Sequence, residues 1–231
     1  MILTVNIEKK SFLDNHVLEN ITFDVKEKEI VCLIGPSGCG KSTILNILGK
    51  LDTEFDGEVN FNVEDRTGYM FQTDNLFPWK NILENVSYGL DISGVSNREA
   101  EKMAIIALKE VQLDKEKYKY PHELSGGMRQ RISLARTMVM QPNLLLLDEP
   151  LAHLDMISKK YLTHYIREFV TDANIGAIIV THSLEEAAFL ADKVILLNRN
   201  PARVVEQIEF KDEPFETRVK MLLDTIEKES L

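Results

Sequence analysis

An α/β fold built on a mainly parallel sheet is predicted by three features of this 231-residue sequence. Short, wholly apolar runs recur at 30–34, 144–147, 177–180 and 193–197, each of strand length and too apolar to carry a solvated face. Helical spacing separates the later runs, and a glycine-rich loop with a helix pattern comes directly after the first. Hydrophobic residues at 44% and charged residues at 28% suit a chain that buries a sizeable core.

The elements follow in order. Alternation at 3–7 and 21–25 predicts two strands parted by the turn signal Asp14-Asn15, and Lys26-Glu27-Lys28 leads into the strand at 30–34. The helix after the glycine-rich loop runs from about 41 to 50, with Ile44, Leu45, Ile47 and Leu48 inward. Two more strands are expected at 57–61 and 67–71. From about 76 to 141 the pattern is helical and reads as an insertion. There Asn97-Arg98-Glu99 opens an amphipathic helix with Met103, Ile106, Ala107, Glu110 and Val111 on one face. Ser125 caps a second helix through Met140, which Pro142 ends. Alternation then resumes: strand 144–147, helix 157–170, strand 177–180, helix 184–191, strand 193–197, an edge strand at 204–210 and a closing amphipathic helix at 215–228.

Composition excludes several function classes. With 27 Lys and Arg against 37 Asp and Glu the net charge is −10, which repels phosphate backbones and argues against nucleic acid as a partner. Any phosphate must then be captured at one local site. Cys32 and Cys39 are too near the same strand and turn to form a disulfide framework. Residues 1–10 lack a secretory signal core and no apolar run is long enough to span a bilayer, so a soluble cytoplasmic protein is expected.

The loop Gly35-Pro36-Ser37-Gly38-Cys39-Gly40-Lys41-Ser42-Thr43 carries G-x-x-x-x-G-K-[ST] between strand and helix. Its glycines let backbone N–H groups turn around phosphate oxygens, and the helix adds its positive end. Lys41 reaches the β- and γ-phosphates and the Ser42 hydroxyl ligates Mg²⁺. The pattern predicts a P-loop NTPase core for a purine nucleoside triphosphate; the loop alone leaves GTPase, kinase and ATPase open. Asp148 and Glu149 end an apolar strand, where ligands of open α/β sheets sit. Asp148 is placed to hold Mg²⁺ and Glu149 to deprotonate a water attacking the γ-phosphate.

A third motif, Leu124-Ser125-Gly126-Gly127-Met128-Arg129-Gln130, precedes that strand by about twenty residues. It resembles the LSGGQ signature of the ATP-binding subunits of ATP-binding-cassette (ABC) transporters, with Met128 in the usual Gln place. Ser125 and two glycines opening a helix also make a second anion-binding N-terminus. Two chains facing head to tail would use both cradles, each signature loop closing over its partner's ATP.

Further roles are what the resemblance implies. Gln72 is similar to the glutamine that ligates Mg²⁺ and senses the γ-phosphate, and His182 to the switch histidine. Asp155 resembles the loop residue that crosses the dimer interface, with the bulky His153 nearby. Phe12 stands where an aromatic residue stacks on adenine; its alternative is a core phenylalanine near a hairpin turn. The resemblance also implies an antiparallel β subdomain at the N-terminus and one ABC ATPase domain over 1–231. Within it a RecA-like core spans about 1–75 and 142–210, a helical subdomain about 76–141, and a C-terminal helix about 213–229.

Leu76-Phe77-Pro78-Trp79 suggests a groove for a partner helix, the alternative being packing under the insertion. The segment from Phe71 to Val86 and the stretch 198–206 resemble an importer subfamily serving nitrate, sulfonates, taurine or vitamin precursors. Implied partners are integral-membrane permease subunits at the cytoplasmic face of the cell membrane and, indirectly, a solute-binding protein. The rival readings within the superfamily are a repair or translation ATPase and the ATPase of an ABC exporter. A non-hydrolysing scaffold would lack Glu149 or His182, and both are present.

Overall fold

Nine strands, seven α-helices and two short 3-10 helices occur among the residues that the computed structural model describes, 1–13, 15–64 and 66–229. The turn residue Asp14 lies outside that set. Strands β1 (Leu3–Phe12), β2 (Asn15–Val25) and β4 (Asp56–Phe61) form an antiparallel sheet in the order β2-β1-β4. The main sheet has β3 (Ile30–Ile34), β5 (Thr67–Met70), β6 (Leu144–Asp148), β7 (Gly176–Val180), β8 (Lys193–Leu197) and β9 (Val204–Glu209). Its order is β5-β6-β7-β3-β8-β9, parallel throughout except for the edge strand β9.

Strand periodicity divides the main sheet's side chains between two cores. Ile30, Cys32 and Ile34 of β3 join Leu145, Leu147 and Ile179 on one face, against helices described below. Val31 and Leu33 join Leu146, Ile178 and Val180 on the other, against the antiparallel sheet and α1 (Lys41–Leu48). Both faces are dry, which is why these strands are continuous apolar runs.

Between β5 and β6 lie α2 (Ile82–Ile92), α3 (Asn97–Glu110) and α4 (Gly126–Met138). Asn81 and Glu84 form a capping box that starts α2. In α3 the buried stripe is Ala100, Ala104, Ala107 and Leu108, whereas Ile106, expected inside, is 59% exposed. Small residues let α3 lie close to α2 and α4, and that contact sets its rotation. Helices α5 (Met156–Asp172), α6 (Leu184–Leu190) and α7 (Phe215–Glu229) complete the fold. Strands β1 and β2 run well beyond the expected 3–7 and 21–25, because the hairpin pairs polar residues as readily as apolar ones. Cys32 and Cys39 are both buried free thiols. No helix of the described residues is long and apolar enough to cross a membrane.

Candidate active site

Four parallel strands deliver the candidate residues to one end of the main sheet. The loop after β3 holds Gly35 to Gly40, β6 ends at Asp148, Gln72 follows β5, and His182 follows β7. These ends line a polar pocket of about 320 Å³ formed by Phe12, Val17, Ser37, Gly38, Gly40, Lys41, Ser42, Thr43, Gln72, Asp148, Glu149 and His182, with Val180 at its floor. Residues as far apart as 12 and 182 thus meet at the carboxyl edge of the strands, where an open α/β sheet binds ligands.

The phosphate loop is built as its sequence requires. Gly40 has φ +113°, and a Cβ there would lie 2.7 Å from Leu18 of β2. It therefore supplies both a left-handed turn and room for a close approach. Lys41 is almost wholly buried, its Nζ donating to the carbonyls of Gly35 (2.7 Å) and Pro36 (2.9 Å). Gly35, Pro36 and Cys39 do not line the pocket. Gly35 packs against Leu197, and Cys39 turns its thiol into the core, so these residues shape the loop from behind.

Asp148 is 5% exposed, and burial pushes its carboxyl above the ordinary range, an effect that a hydrogen bond from Ser42 partly offsets. A buried carboxylate, a hydroxyl and the nearby Gln72 amide make an all-oxygen donor set, which fits a hard cation such as Mg²⁺ that keeps water and phosphate as its other ligands. Glu149 adopts a left-handed backbone at φ +50°, unusual for this residue type and found at functional turns. Its N–H donates to Val180 (2.9 Å), and its carboxylate lies 3.3 Å from His182 Nδ1. The His182 turn is braced by Thr181, which donates to Glu186 (2.6 Å), while Ser183 caps α6.

The signature segment Leu124 to Gln130, read in the sequence as the loop that closes over a partner's ATP, is divided in the structure. Ser125, Gly126, Gly127 and Met128 line a separate hollow with Arg131, His153, Leu154, Asp155 and Ser158; none of these lines the phosphate pocket. Leu124 is buried. Arg129 turns inward to Asp74 (2.7 Å), and the buried Gln130 donates to the Glu149 carbonyl (2.6 Å). The helical turn is the reason: in α4, residues 129 and 130 point away from the side that Met128 and Arg131 share.

Ser125 caps α4 by accepting from the Met128 N–H. Gly127 is confined by the next loop, since a Cβ would come 3.2 Å from the His153 carbonyl. Asp155 caps α5 by accepting from the N–H groups of Ile157 and Ser158, and the Ser158 hydroxyl bond above all holds its carboxyl below the usual range. Beside it Met156 and Ile157 are 85% and 83% exposed. Arg131 Nε is buried at the hollow with no hydrogen-bond partner among the described residues.

Phe12 is 49% exposed at the pocket wall and so is not a core residue. Leu76 packs inside, whereas Trp79 is 71% exposed and lies tilted against Phe77 with ring centroids 5.6 Å apart. Phe77 in turn borders a groove of about 850 Å³ with Tyr69, Phe71, Tyr88, Met103 and Met140. Sequence reasoning missed Val17 in the pocket wall and the inward bonds of Arg129 and Gln130. Only the alternation of β2 hints at the first, and nothing local signals the others.

Comparison with known proteins agrees with this geometry. The family model described as "ABC transporter" matches residues 18–152. The chain belongs to the ABC transporter family. It is 38% identical over 201 residues to the taurine import ATP-binding protein TauB of Rhizobium johnstonii, covering 84% of this chain and 76% of the relative. It is 37% identical over 216 residues to the aliphatic sulfonates import ATP-binding protein SsuB of Bacillus subtilis, covering 88% and 83%. Among solved structures, the dimeric post-hydrolysis state of the ATP-binding cassette MJ0796 with ADP and Pi superposes with a TM-score of 0.80 at 28% identity, covering 92% of this chain and 100% of that one. The ABC family assigns the chain an ATP-binding, ATP-hydrolysing role and closes the choice that the phosphate loop left open among GTPase, kinase and ATPase.

Proposed function

We propose that this ABC ATPase works as a head-to-tail homodimer that powers import of a small solute through separate membrane subunits. The observation that carries the reading is the division of the site. Phosphate loop, Asp148, Glu149 and His182 share one pocket, while the Ser125–Met128 turn, an anion-binding N-terminus, lines another. A single chain has no use for the second. Turned toward a copy of itself, it caps the partner's triphosphate, and the exposed Met156 and Ile157 become interface.

Within each composite site, Lys41 exchanges its loop carbonyls for β- and γ-phosphate oxygens, and Phe12 stacks on adenine. Ser42, Gln72 and Asp148 hold Mg²⁺, which when bound neutralises charge on the β- and γ-phosphates. Glu149 accepts a proton from the attacking water, and His182, 3.3 Å away, donates toward the transferred phosphoryl group. The groove beside Trp79 receives a helix of an integral-membrane permease at the cytoplasmic face of the cell membrane, so ATP-driven closure pulls on that helix. The names of the import relatives support a sulfonate- or taurine-like cargo, delivered by a solute-binding protein. Nitrate-like and vitamin-precursor-like cargoes, the other readings of the sequence resemblance, have no such support among these names.

Glu149→Gln should keep ATP binding and lower turnover by about 10²–10³-fold. Wild-type chain should co-purify with a multi-spanning membrane protein. Full turnover by the variant would remove Glu149 from its role, and a chain found only in soluble complexes would favour a repair or translation role.

A further inference from the structure

Lys10 is a lysine in the wrong place for an ordinary strand, and β1 shows how it got there. Leu3, Val5 and Ile7 point inward in alternation until the register against β4 slips between Ile7 and Lys9. Glu8 and Lys9 both stay exposed, and Lys10 turns in, 2% exposed. Its Nζ donates to Asp52 Oδ1 and to the Glu54 carbonyl, each at 2.6 Å. The same ammonium lies 4.5 Å from the centroid of the Phe12 ring. A desolvated cation over an aromatic face is held more strongly than one in water.

The anchor of this cation is tied to the phosphate-loop helix. Asp52 Oδ1 also accepts from the Glu54 N–H (3.1 Å), and the N–H groups of Leu51 and Asp52 donate to Asn46 of α1 (2.8 and 3.2 Å). One end of α1 therefore carries the phosphate cradle, and the turn at its other end carries the charge pair behind Phe12.

We propose that Lys10 is a positioning residue for the nucleotide base: it fixes the Phe12 ring as a stacking platform at a set distance from the phosphate loop. The inference rests on the reading of Phe12 as that platform. With a cation on its back face the ring's front is poorer in π density and stacks best on an electron-rich purine. Lys10 thus contributes to selection of purine nucleoside triphosphates without touching them. A lysine serving only as a fold pin would not discriminate between ligands with and without a base.

The test is calorimetric titration of the full chain with ATP and with inorganic tripolyphosphate, for wild type, Lys10→Met, Phe12→Leu and the double variant. Lys10→Met should weaken ATP by roughly three- to tenfold and leave tripolyphosphate unchanged, with no further loss in the Phe12→Leu background. Asp52→Asn, which keeps the cation and weakens its anchor, should show the same ATP-only loss to a smaller degree, and serves if Lys10→Met does not fold. Equal losses for both ligands, or a Lys10→Met loss that persists in full without Phe12, would overturn the proposal. Wild type binding ATP no better than tripolyphosphate would instead overturn the platform, and binding of neither would overturn the nucleotide pocket itself.

Discussion

The phosphate pocket and the signature hollow are both concavities at helix N-termini, yet they differ in what surrounds them. The first stands on the ends of four strands of the main sheet, is walled by residues from 12 to 182, and ties Lys41, Asp148 and Glu149 into hydrogen bonds or ion contacts. The second stands on α4 and the turn before α5, is flanked by exposed Met156 and Ile157, and leaves the Arg131 Nε unpaired. On the proposed reading, each region is half of a composite site that two chains complete. Their link runs through the body of α4, where Gln130 holds the Glu149 carbonyl and Arg129 and Arg136 hold the 74–75 turn just past Gln72. The signature turn and the side chains that hold Glu149 and the 74–75 turn thus belong to one helix, which in the proposed dimer couples a partner's nucleotide to the chain's own.

The widest separation between the two regions comes from paired substitutions. Lys41→Ala should cost about 100-fold or more in ATP affinity by calorimetry, because Lys41 is the one Lys or Arg that lines the pocket among the described residues. Ser125→Arg should leave the affinity of a single chain unchanged and lower turnover by about the same factor, since it alters only the half that a partner uses. If Ser125→Arg also abolished binding by the single chain, the two concavities would be one site.

A smaller effect is expected at Asp148. Its carboxyl is raised by burial, so the ligand-free fold holds a proton more tightly than the unfolded chain does. The stabilising contribution of that proton is present below the unfolded value and is lost as pH rises through the folded one. Asp148→Asn should accordingly raise the melting midpoint of the ligand-free chain at neutral pH, with the gain vanishing toward acid, while hydrolysis is lost. A lower midpoint at neutral pH would contradict the charge assignment. The smallest effect on the isolated chain is expected from Trp79→Ala. Stability should stay within about 0.5 kcal/mol and ATP hydrolysis unchanged, because the ring is 71% exposed, while transport in vesicles with the membrane partner is lost. Wild-type transport would leave Trp79 without a docking role.

Much of this arrangement was legible in the residues because the main sheet is dry on both faces. Lys193–Leu197 reads correctly to the residue, and the loop at 35–43 and the pair at 148–149 declare themselves by the strands they follow. Where one face is solvated the reading falls short: β1 and β2 extend through Glu8, Lys9 and Asn20, a stretch held in strand form by the hairpin and by pairing of β1 with β4. Helix α2 was signalled by Asn81 and Glu84 but masked by Ser87 and Gly89 within it. The exposure of Ile106 follows from close packing of alanines, which periodicity alone does not weigh. Lys10 over Phe12, Arg129 on Asp74 and Gln130 on Glu149 depend on a register slip or on contacts up to 55 positions apart, and no local pattern announces them.

Sedimentation equilibrium on Glu149→Gln, with and without an added Ser125→Arg, bears most directly on the claim that two chains share each ATP. With ATP, the single variant should move from 26.4 kDa to twice that mass, and the double variant should bind ATP yet stay at 26.4 kDa. A Glu149→Gln chain that holds ATP and remains at the single mass, or a double variant that pairs as readily as the single one, would contradict it.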